Sequence, residues 1–176
     1  FLCPDADCLR NNLYGAIKSE FERVLNMNKE WSELNKTMQA QIKKKDTYKR
    51  GIDTLLTLRS QLIQTLVSFK EELCREDFNS IPFINADGYH SKTIAYSIWH
   101  IFRIEDIVVH TVINEDEQVF FAGNYQERIN SPIITTGNEL MKQQIADFSK
   151  QLNLEELYSY IFEVRESTEK MLEQLS

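Results

Sequence analysis

A group of titratable side chains falls inside one apolar stretch of this chain. They are His100, Arg103, Glu105, Asp106 and His110, within SKTIAYSIWHIFRIEDIVVHTVI at 91–113. At about 100° per residue, Thr93, Ser97, His100, Ile104 and Thr111 share one helical stripe, small and polar apart from Ile104. Such a stripe suits a pocket wall, and a neutral imidazole at His100 could ligate a divalent metal. Arg103, Asp106 and His110 share the adjacent face, which puts Asp106 within reach of both. A buried charge without a partner is costly, so each of these groups needs a partner or a wet cavity. The plainer readings stand beside these: His100 a hydrogen-bonded interior histidine, Arg103 with Asp106 a structural ion pair, His110 a flanking histidine paired with Asp106. His90, beside Gly88, reads as a solvated loop residue. Tyr96, Trp99 and Phe102 read as core or subunit contacts, and Glu115-Asp116-Glu117 as a solvated loop able to collect a cation.

The elements that must position these residues are helical. Leu9, Leu13, Ala16, Ile17, Phe21, Val24 and Leu25 recur at three-and-four spacing, which predicts an amphipathic helix. The polar segment 26–45, with Trp31, Leu34, Met38 and Ile42, predicts a weaker helix or connector. Ile52, Leu55, Leu56, Leu62, Ile63, Leu66 and Val67 predict a long helix over 47–75. Pro82 and Asp87-Gly88 break the chain. Ser91 or Thr93 can then cap the chemistry-bearing helix, which should run to about residue 113 as the most buried element. The segment 114–136, with turns at Gly123-Asn124 and Ser131-Pro132, reads as a long loop pinned by its apolar residues. A short helix is expected from Asn138. A final one is expected after Asn153, whose spacing to Glu156 resembles a capping box. The fold class is therefore all-α: an antiparallel helical bundle, one domain over 1–176, with one long connection.

Composition narrows the function classes. The chain has 176 residues, 20 Lys plus Arg against 27 Asp plus Glu, and a net charge of −7. That balance argues against nucleic acid, since Lys43-Lys44-Lys45 is the only basic run. No stretch of 18 apolar residues exists, so no membrane span is expected. Cys3, Cys8 and Cys74 form no disulfide framework, and Cys3-x4-Cys8 lacks a second pair to complete a metal site. Reduced thiols fit a cytoplasmic protein. The first residues, FLCPDADCLR, carry acids where a signal peptide would be basic and then apolar.

The motif Trp99-His100-Ile101-Phe102-Arg103-Ile104-Glu105-Asp106 resembles the "WHIxRIED" segment of the DinB/YfiT-like superfamily. The preceding Thr93-Ile94-Ala95-Tyr96-Ser97-Ile98 is similar to the lead into that same helix. Gln118-Val119, Thr136-Gly137-Asn138-Glu139 and 160–168 also resemble one branch. The likeness covers 46–176, and 1–45 would be an additional N-terminal helical segment. The resemblance implies an up-down-down-up four-helix bundle holding a divalent metal on its axis, Zn or Ni. It implies a metal-dependent activity of the thiol-linked transferase or hydrolase type on a small molecule. His100 maps onto a ligand position, with Ser97, Arg103, Glu105 and Asp106 lining the pocket or supporting it.

One departure bears on that expectation. The family's C-terminal His-x3-His has no counterpart, because no His follows His110. Either the chain stops before the ligand-bearing helix, or this member has kept the bundle without the metal. Three readings follow: a metal-dependent protein acting on a small molecule or low-molecular-weight thiol; a metal-free homodimeric bundle serving as a ligand-binding or stress-response module; and a partner-binding protein using the helix in 5–45. A homodimer is expected in each.

Overall fold

The structure is a computed structural model that describes residues 28–82 and 92–175. The described residues are helical and contain no strand, as the periodicity predicts. The helix expected over 9–25, together with Cys3, Cys8 and His90, lies outside them. The chain divides into two compact units, Phe1–Gln64 with Ser176, and Thr65–Leu175.

In the first unit, residues 28–42 form α1 and the chain then turns into α2 (Tyr48–Glu72). The turn satisfies its own backbone. Lys44 N–H donates to the Gln41 carbonyl at 3.2 Å, and the Thr47 hydroxyl caps the same carbonyl at 2.8 Å. Thr54 Oγ1 donates to Gln41 Oε1 at 2.9 Å, and Ile52 is buried. Helix ends leave carbonyls without intrahelical partners, and here two residues of the turn, Lys44 and Thr47, take that of Gln41.

The second unit holds the end of α2, then α3 (Arg75–Asn79), α4 (Ile94–Asp106), a π-helix (Ile107–Asn114), α5 (Val119–Ala122), α6 (Tyr125–Ile129), α7 (Gln143–Gln151) and α8 (Leu154–Gln174). Its core is α4 against α8. Trp99 and Phe102 of α4 and Leu157, Tyr160, Ile161 and Val164 of α8 are almost wholly buried. Phe148 of α7 lies edge-on to Trp99 with centroids 4.7 Å apart. Tyr158 reaches α2, donating to the Leu66 carbonyl at 2.7 Å.

Four local outcomes bear on the sequence expectations. Thr93 is the N-cap of α4, accepting from Tyr96 N–H at 3.1 Å. The single helix expected through residue 113 instead widens into π geometry at Ile107 and closes at Glu115 in the left-handed region, φ 56°. The segment expected as a loop carries α5 and α6, each only about one turn long. Asn153 caps α8 through its side chain, accepting from the N–H groups of Glu155 and Glu156.

Candidate functional site

The polar residues of α4 turn inward and hold the connection that follows it. Asp106 is completely buried. Its Oδ1 accepts Val119 N–H at 2.9 Å and its Oδ2 accepts Phe120 N–H at 3.0 Å, so the carboxylate caps the start of α5. Oδ2 also accepts from Arg103 Nη1 at 3.0 Å and from the Tyr160 hydroxyl at 2.8 Å. Arg103, 1% exposed, sends Nη2 to Gln118 Oε1 at 3.0 Å and to the Ile134 carbonyl at 2.6 Å. Its guanidinium lies 4.1 Å from the Phe120 ring centroid. Burial, followed by the Asp106 charge, raises the Tyr160 phenol well above its ordinary value. That phenol therefore stays a neutral donor.

His100 does related work one turn earlier. Its Nδ1 lies 2.5 Å from the Thr136 carbonyl, which can only accept, so Nδ1 carries the proton. Tyr96 stacks on the imidazole with centroids 5.3 Å apart and donates to the Gly137 carbonyl at 3.1 Å. Along the neighbouring stripe, Thr93 is buried, Ser97 and His100 are half-buried, and Ile104 and Thr111 are exposed. Thr93 bonds Ser149 at 2.6 Å, and Ser97 turns back to the Thr93 carbonyl at 2.8 Å. Glu105 accepts from Thr168 Oγ1 at 2.6 Å. These small polar residues satisfy one another and the backbone.

His110 has closer partners than the expected Asp106. Its Nε2 lies 3.9 Å from Asp106 Oδ1, whereas its Nδ1 is 2.5 Å from Asp116 Oδ1. The turn explains this: Asp116 N–H donates back to the His110 carbonyl at 2.9 Å, which brings the Asp116 carboxylate over the ring. On the other side Ser167 Oγ lies 2.9 Å from Nε2. Ser167 also lines a cleft of about 370 Å³ with Val119, Ala122, Gly123, Glu163, Glu166 and Lys170. Sequence reasoning did not find this line of Ser167, His110 and Asp116. The only hint was a small polar residue in phase with the buried Val164 and Met171 of α8.

The described donors do not complete the metal centre that the resemblance implies. No three His, Cys, Asp or Glu converge among the described residues. Asp106 already accepts four hydrogen bonds, and Glu105 is engaged with Thr168. His100 alone has the orientation of a ligand, with Nδ1 anchored and no hydrogen bond to Nε2 among the described residues. No helix is long and apolar enough to cross a membrane, among the described residues. No family model, no curated protein and no solved structure matches the chain.

Proposed function

We propose that this protein is a helical module that works as a homodimer and receives a small molecule. The observation that carries the reading is an aliphatic row on the outer side of α4 and the π-helix. Ile101, Ile104, Val108, Val112 and Ile113 are 40–66% exposed on the same element whose opposite side is buried against α8. Together they turn on the order of 400 Å² of apolar side chain outward, the size of the largest apolar patch on a typical monomer, which is often functional. A second copy is the occupant that fits. The five residues are uncharged, a two-fold axis near Val108 sets them against their own copies, and the half-buried Glu105 beside them is held by Thr168 Oγ1. Doubling the patch and adding a polar rim reaches the lower end of specific interfaces, about 1,200 Å², which implies a modest affinity. Sedimentation equilibrium tests it. The wild-type chain is expected to dimerise at micromolar concentration and Val108→Glu to stay monomeric with unchanged helicity. A wild-type chain that is monomeric throughout overturns the reading.

A second reading rests on His100. A metal-ligating imidazole generally donates its other N–H to a carbonyl or carboxylate, as His100 Nδ1 does to Thr136. In a DinB-like four-helix bundle, His100 Nε2 would then supply one ligand to Zn or Ni, supporting metal-dependent chemistry on a small molecule or thiol. Elemental analysis of untagged protein is expected to find near-stoichiometric metal that is lost in His100→Ala. Equal metal content in both proteins, or none in either, removes this reading.

A further inference from the structure

We infer that Ser167 is a nucleophile activated by His110, with Asp116 positioning the imidazole, and that the cleft beside it takes a small ester. The inference is independent of dimerisation and of any metal. Asp116 Oδ1 is acceptor-only when ionised, so the 2.5 Å contact fixes the proton on His110 Nδ1. Nε2 is then the basic nitrogen. The Ser167 hydroxyl at 2.9 Å must donate to it, the arrangement required of a serine and its general base. Mid-helix serines commonly turn back to the carbonyl four residues earlier, as Ser159 does to Glu155 at 3.1 Å. Ser167 instead reaches the imidazole of another element, 57 residues away in sequence.

The surroundings suit the charge changes of acyl transfer. His110 is 6% exposed, and proton uptake at Nε2 would place a cation between Asp116 and Asp106, whose Oδ1 is 3.9 Å away. Ser167 lies on the wall of the 370 Å³ cleft, with Val119 and Ala122 for an acyl chain. Lys170, one turn further along α8 and lining the same cleft, pairs with Glu166 at 2.7 Å and would meet a developing oxyanion only by leaving that partner. The volume fits a short acyl group and a small alcohol. The π-helix contributes as well: such widened turns recur at functional sites, and this one carries His110 and ends in the turn that returns Asp116.

The step balances with water as the only co-reactant. Ser167 Oγ attacks the ester carbonyl carbon as its proton passes to His110 Nε2. The carbon–oxygen bond to the alcohol then breaks, and Nε2 returns that proton to the leaving oxygen. Water repeats both transfers on the acyl-serine, releasing the acid and restoring the hydroxyl.

A fluorophosphonate probe with peptide mapping tests the inference on the full chain. One adduct per chain is expected at Ser167, with the serine oxygen bonded to phosphorus and fluoride expelled. Ser167→Ala should carry none there, and Ser167→Cys should be alkylated at that position by iodoacetamide. His110→Gln should slow labelling by about 100-fold or more, the usual scale of general-base assistance. Asp116, 53% exposed, tolerates replacement in a folded chain. Asp116→Asn should slow labelling at least about tenfold and remove the downfield His110 Nδ1 proton resonance, with circular dichroism unchanged. A wild-type chain unlabelled at Ser167, or labelling equally fast in Asp116→Asn, overturns the proposal.

Discussion

The Tyr160 hydroxyl meets Asp106 Oδ2 at 2.8 Å, and both residues are fully buried, 54 positions apart. The same oxygen accepts from Arg103, and Arg103 Nη1 also lies 3.2 Å from the phenol. One carboxylate therefore joins α4, α5 and α8. Buried polar networks of this kind stabilise only while every member is satisfied.

Removing members of that network should give unequal costs. Tyr160→Phe keeps the ring among Phe120 and Tyr125 and deletes one donor, so a loss of about 1–3 kcal/mol is expected. Asp106→Ala leaves Arg103 buried without its counter-charge and the first N–H groups of α5 uncapped. That should cost about 3–5 kcal/mol. Urea unfolding followed by circular dichroism measures both, and equal losses would contradict the central place of Asp106.

Alkali should loosen the second unit before it affects other parts of the protein. Burial raises the phenols of Tyr125 and Tyr158 to about 12, and that of Tyr160 is raised as well. In the unfolded chain a tyrosine ionises near pH ~10. Between that value and the folded one, the native state holds protons that the unfolded state has released. Stability is therefore fully present below pH ~10 and falls as pH rises toward ~12. The urea midpoint should drop between pH 9 and pH 11. Absorbance at 295 nm should show some of the seven tyrosines ionising only with unfolding. A midpoint unchanged over that range contradicts the burial of these phenols.

Much of this fold was legible because the period of apolar residues reports which side of a helix is buried. The start of α2 and the Asn153 cap of α8 follow from that pattern and from side-chain capping chemistry, whereas α2 ends at Glu72, short of the expected 75. The polar residues of α4 were recognisable as buried groups in need of partners, and the Arg103–Asp106 pair follows from their spacing, but the partners outside the helix do not. Arg103 bonds Ile134 and His100 bonds Thr136, in a connection whose course no periodicity encodes. The π-helix was invisible for a related reason. Ile107 to Ile113 is apolar nearly all round, so widening the turn leaves no trace in the pattern. Ser167 and Asp116 reach His110 from opposite sides, one 57 and the other 6 residues away. Spacing reveals neither contact.

Gly137 occupies a place that only glycine fills without strain. Its φ is +77°, and a Cβ there would stand 2.9 Å from Trp99 Cζ3 and 3.1 Å from Tyr96 Cε2. The neighbouring carbonyls of Thr136 and Gly137 are those that His100 and Tyr96 hold. Gly137→Ala should lower stability by about 1–3 kcal/mol through the left-handed backbone and the collision with Trp99. Emission from Trp99, in a Trp31→Phe background, should shift toward that of a more solvated indole. A stable variant with unaltered emission would mean that the segment repacks without cost.

Gly51 should show the reverse of the usual helix rule. Glycine inside a helix generally destabilises by about 0.5–1 kcal/mol relative to alanine, so Gly→Ala ordinarily helps. Here an added Cβ would sit 2.7 Å from Ile42 Cγ1 and 2.8 Å from the Ile42 backbone nitrogen. The side chain could swing aside, but the backbone nitrogen belongs to the end of α1 and moves only if the turn into α2 opens. That turn is held by the Thr47 and Lys44 bonds to the Gln41 carbonyl. Overpacking of this kind costs about 1–3 kcal/mol, more than the entropy gained. Gly51→Ala should therefore lower the unfolding midpoint reported by Trp31 in a Trp99→Phe background. A raised midpoint would show that α1 and α2 separate readily at that crossing.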